Sequence, residues 1–90
     1  MTDAARPLQV TLYTRPGCHL CEDAKQVMSP LLQEFHAVLR EINIDEDAHL
    51  TARYRIDIPV IFIGTHKVAK HRVDPHQFRR QLEQASARLE

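Results

Sequence analysis

The chain of ninety residues has two cysteines, Cys18 and Cys21, set two residues apart within Thr14-Arg15-Pro16-Gly17-Cys18-His19-Leu20-Cys21. On one helical turn this spacing lets the two sulfurs close a small disulfide ring and open it again. So short a ring constrains little chain, and the stabilisation a crosslink gives grows with the length of the loop it closes. The pair is therefore a poor staple and a candidate redox site. A thiol attacks only as thiolate, and free cysteine, with a pKa of ~8.5, needs local stabilisation of negative charge to react at neutral pH. Cys18, at or just before the first residue of a helix, would have it from the unpaired first-turn amides and the positive dipole end. Cys21, one turn further in, suits resolution of the mixed disulfide that Cys18 forms. Arg15 adds a nearby cation, and His19 is placed to donate a hydrogen bond to the Cys18 thiolate. Glu22 and Asp23 act in the opposite sense, so a moderately acidic Cys18 is expected.

Composition narrows what such a site serves. Twelve Lys and Arg balance twelve Asp and Glu, which argues against nucleic acid as the main partner. Lys67, Lys70, Arg72, Arg79, Arg80 and Arg88 crowd the last quarter against Asp74, Glu83 and Glu90. The bland reading of that excess is a solvated helix face. No secretory apolar core stands at the start and no run is long enough to cross a bilayer, so no membrane partner and a cytoplasmic location are expected. In a reducing compartment a lone Cys-x-x-Cys is more often catalytic or metal-binding than a permanent crosslink. The size fits one domain over 1–90, with a core from about 8 to 89, a flexible segment over 1–7, and a monomeric state.

The elements that must position the cysteines follow in order. Leu8 to Tyr13 alternates apolar and polar residues, as in a strand with Leu8, Val10 and Leu12 on one face. Pro16-Gly17 breaks it. From Cys18 onward, Leu20, Ala24, Val27, Met28, Leu31 and Phe35 recur at helical steps of three and four. Pro30 falls inside that pattern and predicts a kink or a break over Gln26 to Ser29. Ala37 to Ile44 reads as a second strand, with Val38, Ile42 and Ile44 on the buried side. Asp45-Glu46-Asp47 opens a short helix bearing Leu50 and Tyr54, its acids matched to the positive helix end. Val60 to Ile63 is a strand buried on both faces. Gly64-Thr65 is a hairpin turn returning as His66 to Lys70. Asp74-Pro75 starts a closing helix, Asp as cap and Pro at the first helical position, with Phe78, Leu82, Ala85 and Leu89 on one face. The sum is an α/β βαβαββα three-layer sandwich around a four-stranded mixed sheet.

The Arg15-Pro16-Gly17-Cys18-His19-Leu20-Cys21 run, the later Ile58-Pro59-Val60 and the Gly64-Thr65 hairpin together resemble the glutaredoxin branch of the thioredoxin-like fold. More narrowly, they resemble small bacterial glutaredoxin-like proteins with a Cys-x-Leu-Cys motif, over Leu8 to about Leu89. The resemblance implies a cis Pro59 beside the cysteines and an Ile58 backbone that pairs with an extended substrate segment. It also implies thiol-disulfide exchange on a protein or small-thiol disulfide, with a protein or glutathione reductant and no tightly bound cofactor. Arg15 matches a basic position that many glutaredoxins use for glutathione. The chain departs from the glutaredoxin pattern in carrying His19-Leu20 between the cysteines. It also has Ala69-Lys70-His71-Arg72-Val73-Asp74 where a Gly-Gly-x-Asp loop would hold a glutathione carboxylate. Two other functions stay open: a metal or [2Fe-2S] module using both thiolates as half a site, and a non-catalytic adaptor binding through the Ile58-Pro59 groove or the basic last helix. No metal ligands are assigned, because no histidine has zinc-pair spacing to the cysteines.

Overall fold

The computed structural model describes residues 7 to 89. The expectations for 1–6 and for the Leu89 side chain fall outside the described residues and side chains. Strand β1 (Gln9–Thr14) leads into helix α1 (His19–Glu34), strand β2 (Val38–Asn43) and a single 3-10 turn (Ile44–Glu46). Helix α2 (Ala48–Tyr54), strands β3 (Val60–Ile63) and β4 (His66–Lys70) and helix α3 (Pro75–Leu89) complete the order. The strands form one sheet in the order β2-β1-β3-β4. β1 runs parallel to β2 and antiparallel to β3, and β3 runs antiparallel to β4. The carboxyl ends of β1, β2 and β4 therefore share one end of the sheet with the start of β3.

β1 alternates sides as its sequence does. Leu8, Val10 and Leu12 face α1 and α3 with Met28, Leu31, Phe78 and Leu82, forming the main core. Tyr13 faces the other way, toward α2, where Ile44, Tyr54 and Val60 make a second cluster. Its ring stacks on Tyr54 at 4.7 Å and meets Phe62 edge-on at 5.7 Å. The helices thus cover both faces, and the mixed α/β sandwich is as the sequence predicts.

Local chemistry sets the boundaries. α1 ends with the amide of Ala37 on the Leu32 carbonyl (2.8 Å) and that of His36 on Gln33 (3.2 Å), with His36 at φ 54°. This is the left-handed helix stop that satisfies otherwise unpaired carbonyls. α3 starts as expected, the Asp74 carboxylate accepting from the Gln77 amide at 2.9 Å. Gly64 has φ 60°, as the first turn position of a Gly-X hairpin requires.

Three expectations need correction. Of the kink or break expected at Pro30, the break does not occur and α1 continues through it; the proline is exposed, so its ring and the helix bond it removes fall on the side facing water rather than in packed core. Val38 is 44% exposed, because β2 is an edge strand and Leu39, one step out of phase, is the residue packed against the main core. The acids Asp45 and Glu46 lie in the separate 3-10 turn, while Asp47 caps α2 by accepting from the amides of His49 and Leu50.

Phe78 is 2% exposed at the centre of the α3 packing, so Phe78→Ala is expected to destabilise the protein by about 3–5 kcal/mol in a urea titration. At the far end of α1, Arg79 of α3 grips both carboxylate oxygens of Glu34. That hydrogen bond, helped by the opposite charge, holds the Glu34 carboxyl below the usual glutamate range. A depressed folded pKa contributes stability above the unfolded value and loses it as pH falls through the folded one. Glu34→Gln should therefore melt below the wild type at neutral pH, with the gap closing in acid; a constant gap would show that charge contributes nothing there.

Candidate active site

The cysteines stand where β1 becomes α1. Arg15-Pro16-Gly17-Cys18 is a tight turn, closed by the Cys18 amide on the Arg15 carbonyl at 3.3 Å. Pro16 presets the first central position and Gly17, at φ 81°, supplies the positive φ that the second one demands. A side chain at Gly17 would meet no atom within 4 Å, yet would be strained by that φ. The turn delivers Cys18 in extended conformation (φ −86°, ψ 104°) as the N-cap of α1. Its Sγ accepts a hydrogen bond from the Cys21 amide at 3.1 Å. The sulfurs of Cys18 and Cys21 are joined in a disulfide with Cα atoms 5.2 Å apart, inside the range such a bond spans. Cys21 has 0% exposure, whereas Cys18 is partly exposed.

Two of the flanking charges, Arg15 and Glu22, already have partners. Nε and Nη2 of Arg15 donate to Asp45 Oδ1 at 3.1 and 2.6 Å, and this bond raises the Arg15 pKa. The guanidinium read as an available cation beside Cys18 is thus held by a carboxylate from the 3-10 turn. Parallel pairing explains it: Thr14 is opposite Asn43, so both chains leave the sheet side by side. Glu22, expected to oppose the thiolate, instead faces Lys25 at 3.1 Å, and Lys25 also reaches Glu41 at 3.3 Å. The His19 ring is exposed and among the described residues makes no hydrogen bond.

The other wall comes from the segment before β3. The Ile58–Pro59 peptide is cis, and Pro59 is buried. Since Tyr13 pairs with Val60, Pro59 lies next to the end of β1 that feeds Cys18. The Ile58 amide donates to the Tyr54 carbonyl at 3.1 Å, and among the described residues no donor reaches the Ile58 carbonyl. Beyond it a shallow groove runs between α1 and the β4–α3 connection, lined by Leu20, Ala24, Val27, His71, Arg72 and Val73. Leu20 is 39% exposed there. Asp45 is the neighbour that sequence reasoning did not place at the site, and only strand register brings it in; His71 lies in the loop that the resemblance sets there.

Residues 9–83 match the family described as Glutaredoxin-like domain (DUF836). The chain is 31% identical over 84 residues to the Dictyostelium discoideum glutaredoxin-like protein YDR286C homolog, covering 87% of this chain and 78% of that protein. Its fold is similar to the solution structure of Ne2328 from Nitrosomonas europaea, with TM-score 0.74 and 29% identity over 90% of this chain and 98% of that one. It is similar also to the X-ray structure of XcR50 from X. campestris, with TM-score 0.70 and 28% identity over 83% and 96% of the two chains. The Drosophila melanogaster thioredoxin Deadhead, 22% identical with TM-score 0.59 over 90% of this chain and 83% of its own, shares the fold alone. With a family match over most of its length, a paired Cys18-x-x-Cys21 and a thioredoxin-like sandwich, the chain belongs to the glutaredoxin-like domain family.

Proposed function

We propose that the protein is a thiol-disulfide oxidoreductase working through Cys18 and Cys21. The observation that carries this reading is the asymmetry of the pair: a partly exposed sulfur at the helix N-cap, backed by a fully buried one within bonding distance. In the dithiol form the Cys18 thiolate attacks one sulfur of a substrate disulfide. A Cys18–substrate disulfide forms and the other substrate sulfur leaves as thiolate, to be protonated by water. Cys21 then loses its proton and attacks the Cys18 sulfur. The Cys18–Cys21 disulfide closes, the second substrate thiolate departs, and two electrons have passed to substrate. A dithiol protein or two molecules of glutathione return the electrons by the reverse sequence.

The same amide that bonds Cys18 Sγ in the disulfide is in place to bond a thiolate, and the unpaired first-turn amides add to it. Burial acts oppositely on Cys21, disfavouring its charged form. Substrates are protein or low-molecular-weight disulfides, met by the groove along Leu20 and the Ile58 carbonyl. A glutathione carboxylate aimed at Arg15 would have to displace Asp45, so a protein reductant fits the site better than glutathione does. Among the described residues no helix is long and apolar enough to cross a membrane, and the chemistry suits a monomer in the reducing cytoplasm.

Two measurements test the reading. In the reduced protein Cys18 should alkylate first, titrating below the ~8.5 of free cysteine, with Cys21 protected until unfolding; a Cys18 pKa at or above the free value contradicts the proposed activation. Cys18→Ser should abolish reduction of insulin and of hydroxyethyl disulfide, while Cys21→Ser should accumulate a mixed disulfide on Cys18. Wild-type protein unable to reduce either substrate would remove the proposal.

A further inference from the structure

Among the described residues two other than glycine have positive φ: His36, at 54°, and His71, at 69°. His36 is accounted for by the left-handed stop of α1. His71 stops no helix. The amide of Arg72 donates to the Lys70 carbonyl at 2.8 Å, which makes His71 the centre of a three-residue γ-turn with positive φ, a rare and strained form. A residue with a Cβ persists in such a conformation when its surroundings over-determine it.

Two contacts do so here. The His71 amide donates to the Pro59 carbonyl at 2.8 Å. Its ring Nε2 lies 3.0 Å from the Ile56 carbonyl; a carbonyl only accepts, so this nitrogen carries the proton. Asp57 Oδ1 stands 3.9 Å from the same nitrogen and 3.8 Å from Lys70 Nζ. One residue therefore holds the carbonyls on both sides of Ile58. The Ile58 amide is taken by Tyr54, and among the described residues no donor reaches the Ile58 carbonyl. His71 also lines the groove that runs along α1 from Leu20.

We infer that His71 is a positioning residue for peptide substrates: by gripping Ile56 and Pro59 it fixes the Ile58 carbonyl as the acceptor for a backbone N–H beside the disulfide being reduced. This rests on the proposed exchange reaction and narrows its substrates to disulfides carried on extended peptide chain. A small disulfide without a backbone amide gains nothing from the clamp.

His71→Gly suits the left-handed backbone and keeps the amide, so it removes the ring alone. His71→Gln returns a donor on a side chain long enough to approach Ile56. In His71→Gly the ratio of kcat/KM for insulin to that for hydroxyethyl disulfide should fall about three- to tenfold through KM, the range expected for one lost hydrogen bond. His71→Gln should recover most of it. An unchanged ratio, or a Gln variant no better than Gly, overturns the inference. Amide hydrogen exchange at Asp57 and Ile58 should quicken in His71→Gly, and unchanged exchange overturns it as well. Wild-type inactivity on both disulfides would instead defeat the exchange reaction itself, leaving the amide measurement to decide the clamp.

Discussion

The turn from Arg15 to Cys18 is the constraint on which the site depends. Within it a buried central strand ends, the chain reverses, and a helix begins with a sulfur as its cap. Pro16 presets φ, Gly17 accepts the left-handed position, and Cys18 commits its side chain to a first-turn amide. The usual capping atom is an oxygen. Placing sulfur there gives up some capping strength and sets it at the positive helix end, where the proposed exchange reaction needs its nucleophile.

The rest of the sandwich serves to keep that end of the sheet occupied by loops and the middle by packing. Parallel pairing of β1 with β2 brings Asp45 beside Arg15, and antiparallel pairing with β3 brings Pro59 beside the end of β1. The main core of Val10, Leu12, Met28, Phe78 and Leu82 lies behind the cysteines and contains no group the chemistry uses. Core and site are therefore separable. The core holds α1 against the sheet, while under the proposed function the surface loops would set which disulfide is met.

Much of this is legible in the sequence because it depends on local signals. Helical steps place α1 and α3, Asp74-Pro75 marks a helix start, and the glycines of Pro16-Gly17 and Gly64-Thr65 announce their own positive φ. What stays hidden depends on partners distant along the chain. Val38 reads as buried because its strand pattern says nothing about lying at a sheet edge. Arg15 reads as available because its carboxylate is thirty residues away and is delivered by parallel register. His71 is the hardest case: unlike glycine, histidine carries no mark of a left-handed backbone, so its turn is visible only in the folded chain. The resemblance to glutaredoxins locates the same loop but describes it as a departure, without saying what the new residues do.

The hydrogen bond from the Cys21 amide to Cys18 Sγ joins folding to redox equilibrium in one thermodynamic cycle. Whatever it adds to a charged sulfur over a bridged one favours the dithiol form of the folded protein relative to the unfolded chain. On the proposed exchange reaction the same increment would enter the reduction potential, as one contribution that makes the folded disulfide a stronger oxidant. A change anywhere along α1 that loosens its first turn would shift the electron balance of the pair without touching either sulfur.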